Sequence, residues 1–181
     1  LPICGKLALK LTIPLANTRE TKVAGTYQFI NNTLDSAEAY FPAAEQVNAR
    51  LEFTESRVRV ANGTLTMLGG PASISAATQR DGTRITLAGR VNMDNFKRTT
   101  NSLFVQALTG TTDWRASILL RKQFADFVLE SSLQGVTSGL PAPFAKAVND
   151  SVPLRIERIV ASAQQDRVIA SVGSKIGRAH V

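Results

Sequence analysis

From Val47 to Val91 the chain reads as a four-strand antiparallel meander whose apolar residues all fall on one face once the turns set the register. Asn62-Gly63 and Asp81-Gly82 are read as two-residue hairpin turns, because the central residues of such turns take positive φ, which Asn, Asp and Gly tolerate best. The first turn predicts Val60 opposite Leu65 and Val58 opposite Met67. The second predicts Thr78 opposite Ile85, Ala76 opposite Leu87 and Ile74 opposite Gly89. A turn at Glu55-Ser56 predicts Phe53 opposite Val58 and Leu51 opposite Val60, and one at Gly69-Gly70 predicts Leu65 opposite Ile74. All junctions agree in parity. A one-residue slip would carry the whole apolar set to the other side, so this agreement constrains the fold more than any single alternation. The other face, with Arg50, Glu52, Arg57, Arg59, Thr64, Thr66, Ser73, Ser75, Arg84, Thr86 and Arg90, is expected to be wet.

The flanking sequence extends the same pattern. Leu7, Leu9, Leu11, Ile13 and Leu15 alternate with polar or small residues and predict a half-buried strand that Pro14 places at an edge or near an end. A loop at Asn17 to Thr21 precedes a strand with Val23, Gly25, Tyr27 and Phe29 that ends at Asn31-Asn32. After the meander, Met93, Phe96, Thr100, Leu103 and Ala107 recur at intervals of three and four, predicting one amphipathic helix from Asp94, its cap, to about Phe104. A second hairpin turning at Lys122-Gln123 sets Trp114, Ala116, Ile118 and Leu120 opposite Ser131, Leu129, Phe127 and Ala125, and Arg115 opposite Glu130. Between Gly135 and Asp150 the sequence predicts a turn and a short helix with Pro143 near its first position. Leu154, Ile156 and Arg167 to Val172 then resume strands. The fold expected is mostly β: a long antiparallel meander forming a curved, one-sided sheet or trough, with one or two short helices. Strands in succession, without alternating helices, exclude a parallel doubly wound sheet.

The residue inventory removes most catalytic chemistry. The only histidine is His180, and it lies in the final segment Ile176 to Val181, which reads as the translation of a sequencing adapter and is expected not to be native. Residues 1–175 are then expected to be a fragment of a larger β domain, open at both ends. Without a histidine no Ser or Cys dyad has its usual base. The carboxylates fall in turns, helix starts and outer strand faces rather than in an acid and base pair. Gly69-Gly70-Pro71 lacks the Gly-Lys-Ser/Thr ending of a phosphate loop. One cysteine, Cys4, allows no internal disulfide, and no metal site or cofactor is expected. The formal net charge is +7, but the basic residues are scattered and no aromatic residues interleave with them, so nucleic acid is not an expected partner. No run approaches the roughly 20 apolar residues of a membrane-spanning helix.

Thr109-Gly110 precedes the strand bearing Trp114, Ser131-Ser132-Leu133-Gln134-Gly135 follows, and Leu140-Pro141-Ala142-Pro143-Phe144-Ala145-Lys146 completes the segment. This order resembles the YhdP branch of the AsmA-like proteins, related to TamB: a Trp-bearing strand after a Thr/Ser-Gly turn, then Ser-Asp-Leu-x-Gly leading to Leu-Pro-x-Pro-Leu-x-Lys. Ser132 stands where Asp is usual and Phe144 where Leu is usual. The stretches Leu1 to Leu11 and Leu68-Gly69-Gly70-Pro71 also look like family elements, so the likeness spans nearly the whole chain. The resemblance implies a large Gram-negative envelope protein with an inner-membrane anchor outside this segment. It further implies a long, taco-like periplasmic β structure that conducts phospholipid between the inner and outer membranes, with no enzymatic step and no cofactor.

On that reading the residues expected to line an acyl-chain groove are Leu51, Phe53, Val58, Val60, Leu65, Met67, Ile74, Ile85, Leu87, Trp114, Ile118, Phe127 and Leu129. Phospholipid is the expected partner. The competing expectation is a non-enzymatic β-sandwich module whose apolar faces bury each other, with Trp114 a core anchor. A hydrolase would require paired inward acids or an aromatic platform, and the sequence supplies neither.

Overall fold

Short polar connections between strands of alternating side chains leave a strand little choice but to pair with its predecessor, and the structure follows that rule everywhere except around β9. The computed structural model describes residues 4–14, 21–35, 42–100, 102–122, 124–142, 144–162 and 165–180. The strands are β1 (Gly5–Thr12), β2 (Lys22–Leu34), β3 (Ala44–Thr54), β4 (Val58–Met67), β5 (Gly70–Gln79) and β6 (Gly82–Asn92), then β7 (Leu108–Leu120), β8 (Ala125–Ser131), β9 (Val136–Ser138), β10 (Leu154–Ser162), β11 (Gln165–Val172) and β12 (Lys175–His180). Eleven of them lie side by side in chain order, all antiparallel, from β1 to β12. The remaining strand, β9, pairs with the start of β7. The sheet is open: β1 and β12 stand at its two edges.

The segment 44–92 is four strands, as the sequence predicts, but three turns divide them rather than the four read from the sequence. Asn62-Gly63 is not a turn. Both residues lie inside β4, and neither takes the positive φ that a two-residue hairpin needs. Instead the register on both sides of β4 shifts there: Ala61 and Asn62 together oppose one residue of β3 and one of β5, which is a β-bulge. A bulge and a tight turn change the parity of the side chains in the same way, so Val60 and Leu65 share a face under either reading. The glycine serves the close approach of neighbouring strands. A Cβ on Gly63 would stand 2.7 Å from Ile74 Cγ2 and 2.8 Å from the Ala49 Cβ.

Two further turns sit one residue earlier than their dipeptides suggest. Leu68 and Gly69 take φ of 55° and 74° and make the turn, which sets Leu65 opposite Ala72 rather than Ile74. Gly70 is needed elsewhere, since a Cβ there would come within 1.9 Å of the Arg90 carbonyl oxygen. Likewise Arg80-Asp81 turns the chain, giving Thr78 opposite Thr83, Ala76 opposite Ile85 and Ile74 opposite Leu87. Each pairing differs from its expectation by two residues, which preserves the face while changing the partner. The turn at Glu55-Ser56 and the β7–β8 hairpin have the expected registers, with Leu51 opposite Val60, Phe53 opposite Val58, Trp114 opposite Ser131 and Arg115 opposite Glu130.

The helical expectations are corrected more strongly. In place of one helix, the chain forms α1 (Met93–Phe96), a 3-10 turn (Lys97–Thr99) and α2 (Leu103–Gln106). Thr100 is extended at φ −145°, and poor helix formers cluster from Thr99 to Ser102. The cap is Asn92, whose side chain accepts from the Asp94 and Asn95 amides at 2.9 and 3.2 Å. No helix occurs among the described residues between Gly135 and Asp150. That stretch holds β9 and an isolated bridge between Ser138 and Lys146. Lys146, 9% exposed as a residue, donates its amine to the Val136 and Ala147 carbonyls at 2.7 and 3.0 Å, and Pro141 lies in the same stretch. Pro143, and most of the loop expected at Asn17 to Thr21, lie outside the described residues. β2 does not stop at Asn31-Asn32 but bulges there and continues to Leu34. β1 is an edge strand, as Pro14 suggests, yet its apolar residues are exposed rather than half-buried, with Leu7 at 61% and Leu9 at 51%.

Bulges on β2, β3 and β4 stand side by side, with Asn31 and Gln46 both at φ 51°. Side chains satisfy the backbone they displace: Asn48 Oδ1 accepts from the Asn31 amide at 3.0 Å, and Asn32 Oδ1 from the Ile30 amide at 2.9 Å. We expect Gly63→Ala to lower unfolding free energy by about 1–3 kcal/mol through overpacking. Added to Ile74→Ala it should cost much less than the sum of the two, as read by urea denaturation. An isolated turn at Asn62-Gly63 would show no such coupling.

Candidate functional site

In-register pairing turns the one-sided pattern into rows that cross the sheet. One runs through Gly5, Phe29, Ala49, Gly63, Ile74, Leu87, Ala116, Leu129, Ile156, Ala170 and Gly177. The next runs through Leu7, Tyr27, Leu51, Val60, Ala76, Ile85, Ile118 and Phe127, and meets Arg158 on β10. A third holds Leu65, Ala72, Gly89, Trp114, Ser131, Leu154 and Val172. Phe53 and Val58 pair in a further row of the same face, and Met67 is two residues beyond Leu65 on β4. All the residues expected to line a groove therefore share one face.

Their burial is graded across that face. Val60, Leu65, Leu87 and Trp114 are buried, at 8, 4, 6 and 3% exposure, in a cluster with Val47, Ala49, Ala72, Ala76, Val91, Met93, Ala116 and Val136. Leu51, Phe53, Val58, Met67, Ile74, Ile85, Ile118, Phe127 and Leu129 are half-buried. Toward β1, Leu7, Leu9 and Leu11 are exposed. Every described strand of the long path belongs to a single layer. Part of that burial comes from Met93 and Phe96 of α1 and Val136 of β9, which join the cluster; the rest requires that the sheet curl toward the side chains so that neighbours close over one another. Bulges on adjacent strands promote that curl by bending each strand and raising its twist. The face is a trough with a dry floor and partly open flanks.

Small residues shape the floor. Gly89 leaves room for the Trp114 ring, whose Cζ2 lies 3.0 Å from the position a Cβ would take. The alanines were not among the expected lining residues because alanine is common on both faces of a sheet. Their parity with Ile74 and Ile118 on β5 and β7 was the available signal. Val47 was hidden by the bulge at Gln46, which breaks the alternation along β3.

The outer face is polar and carries the ion pairs. Arg90 on β6 donates to Asp113 on β7 at 2.7 and 3.2 Å. That hydrogen bond, assisted by the guanidinium charge, holds the Asp113 carboxyl below the usual carboxylate range. Arg155 binds both Glu130 and Glu157, so the partner of Glu130 in an ion pair is Arg155 on β10. A depression of about 560 Å³ near the Glu55-Ser56 turn is lined by residues of both faces, Lys10, Thr26, Glu52 and Arg59 of the polar one and Leu9, Phe53 and Val58 of the apolar one. Among the described residues no cluster of His, Cys, Asp or Glu could hold a metal ion, and no helix is long and apolar enough to cross a membrane. Cys4 is exposed.

The family model described as YhdP protein matches residues 4–179. No curated protein and no solved structure matches the chain. With the match covering nearly the whole sequence, the chain belongs to the YhdP family.

Two outcomes follow from the graded burial and the cross-strand charges. Leu87→Ala, on the floor, should cost about 2–4 kcal/mol of stability, and Ile85→Ala, on the flank, clearly less, by urea unfolding. Asp113→Asn should lower the Tm slightly at pH 7. Because the folded carboxyl titrates below its unfolded value, its contribution is present above a pH of about 4 and is lost below it. The gap between variant and parent should therefore close on acidification, and also in high salt, since both partners are exposed.

Proposed function

We propose that this member of the YhdP family is a segment of an inner-membrane-anchored periplasmic protein of the Gram-negative envelope. The trough conducts or shields phospholipid acyl chains between the inner and outer membranes, and no catalytic step is involved. The observation that carries the reading is the run of apolar rows at right angles to the strands. At about 4.8 Å per strand, a row crossing the ten strands from β1 to β11 on the long path is about 43 Å long. One leaflet's share of the bilayer hydrocarbon is about 15 Å. A row thus exceeds the length of a single acyl chain several-fold, which suits a path better than a closed pocket.

The energetics agree with that use. An acyl chain gains about 0.8 kcal/mol for each methylene removed from water. The gain depends on apolar area alone, so a chain moving from one row position to the next exchanges one hydrocarbon contact for another at little cost. The half-buried flank, Leu51, Ile85 and Phe127 among others, is where a chain can add to the contacts the protein already makes. Charged head groups would remain at the wet margin. Family membership supports the envelope setting.

Photo-crosslinking residues placed at Leu51, Ile85 and Phe127 in cells should capture phospholipid, whereas the same residue at Arg59 or Thr86 on the outer face should not. Capture of protein alone at the trough positions would favour a sandwich module that buries this face against another sheet, and would overturn the proposal. Charged replacements at Val60 or Leu87 should impair lipid transfer far more than alanine in protein that remains folded.

A further inference from the structure

Trp114 is 3% exposed, and its indole Nε1 is a buried donor with no acceptor among the described residues. Native interiors leave few such groups, because a buried N–H loses its bond to water and gains nothing in return. The hydroxyls of the same face on β7 and β8 bond elsewhere: Ser131 donates to the Asp113 carbonyl at 2.7 Å and accepts from the Leu133 amide at 3.1 Å, Thr112 Oγ1 lies 3.3 Å from Ser131 Oγ, and neither pairs with the indole. The indole therefore presents an unpaired donor on a floor that is mostly hydrocarbon.

The molecule that fits is apolar along its length and carries an oxygen acceptor without a donor of its own. We infer that Trp114 reads the acyl-ester carbonyl of a glycerolipid, with Nε1–H donating to the ester oxygen when a chain occupies the trough. This rests on the acyl-chain reading above and adds to it a fixed point, the position along the trough where the lipid's glycerol end comes to rest. Access requires the cover over this part of the floor to give way. Met93 and Phe96 of α1 pack into the cluster that holds Trp114, and α2 lies against β7. Each helix is a single turn, far below the roughly 12 residues at which a helix holds by itself. Leu103 and Phe104 on α2 are 84% and 64% exposed, so α2, tied by a Phe104–Phe144 ring contact and by Gln106 on the Lys97 and Thr100 carbonyls, leaves most of its apolar surface in water.

The test uses protein labelled with nitrogen-15 at tryptophan, with Trp114→Phe identifying the Trp114 resonance. Vesicles of a dioleoyl diester phosphatidylglycerol are compared with vesicles of its diether analogue, which has the same head group and chains but no ester carbonyl. The indole N–H resonance should move downfield with the diester lipid and much less with the diether. Trp114→Phe should weaken diester binding about five- to tenfold and leave diether binding unchanged. Equal shifts with both lipids, or equal losses of affinity in the variant, would show that the ring supplies apolar contact only and would overturn the inference. Brominated acyl chains separate the two levels. Quenching of the Trp114 fluorescence by both lipids, without an ester preference, removes this inference and leaves the acyl-chain reading standing. Absence of quenching removes both.

Discussion

Everything in this structure depends on keeping one set of side chains on one side of a sheet eleven strands wide. Side chains alternate with a period of two, so any connection or irregularity between strands must restore the parity before the next strand pairs. The chain meets that condition with tight turns at Leu68-Gly69 and Arg80-Asp81 and with bulges at Ile30-Asn31, Gln46 and Ala61-Asn62. An odd error at any of them would put Arg59 or Glu52 on the floor and Val60 in water. The charged side chains of the outer face therefore act as a check on register as well as a source of solubility.

The same parity rule explains which parts of the fold were legible in the sequence. The face of every strand from β3 to β8 could be read, because apolar and polar residues alternate there and an even-numbered slip leaves the face unchanged. The partners could not always be read. Asn62-Gly63 carries the strongest local signal for a hairpin, and it sits mid-strand because flanking strands fix Gly63 against Ala49 and Ile74. Gly70 and Gly82 looked like turn residues, yet their missing Cβ makes room for the Arg90 and Leu120 carbonyls of adjacent strands. These are tertiary reasons for a glycine, and nothing in the local sequence separates them from a turn. The β7–β8 hairpin, whose connection has no glycine, was readable to the residue.

The helical insertion failed for a different reason. Met93, Phe96, Leu103 and Ala107 do have helical spacing, but the run from Thr99 to Ser102 favours extended or capping conformations. Two single turns form, one of them capped by Asn92, and they pack on the ends of β6 and β7. In the candidate site the shared face of the large apolar residues was legible, and that of Ala76 and Ala116 with it, whereas Ala49 and Ala72 did not stand out. The orphaned indole donor of Trp114 could not have been foreseen, since it depends on which hydroxyls in the fold are already engaged.

The row through Gly5, Ala49, Gly63, Ala116, Ala170 and Gly177 sets small residues among larger ones on the floor. For a guest held only by dispersion and the exclusion of water, such a track has shallow wells and low ridges, much the same in both directions. Nothing in its apolar composition gives the motion an arrow. If the trough carries acyl chains as proposed, any net flux along it has to be imposed at its ends, by unequal supply and removal, which makes it a conductor and not a motor.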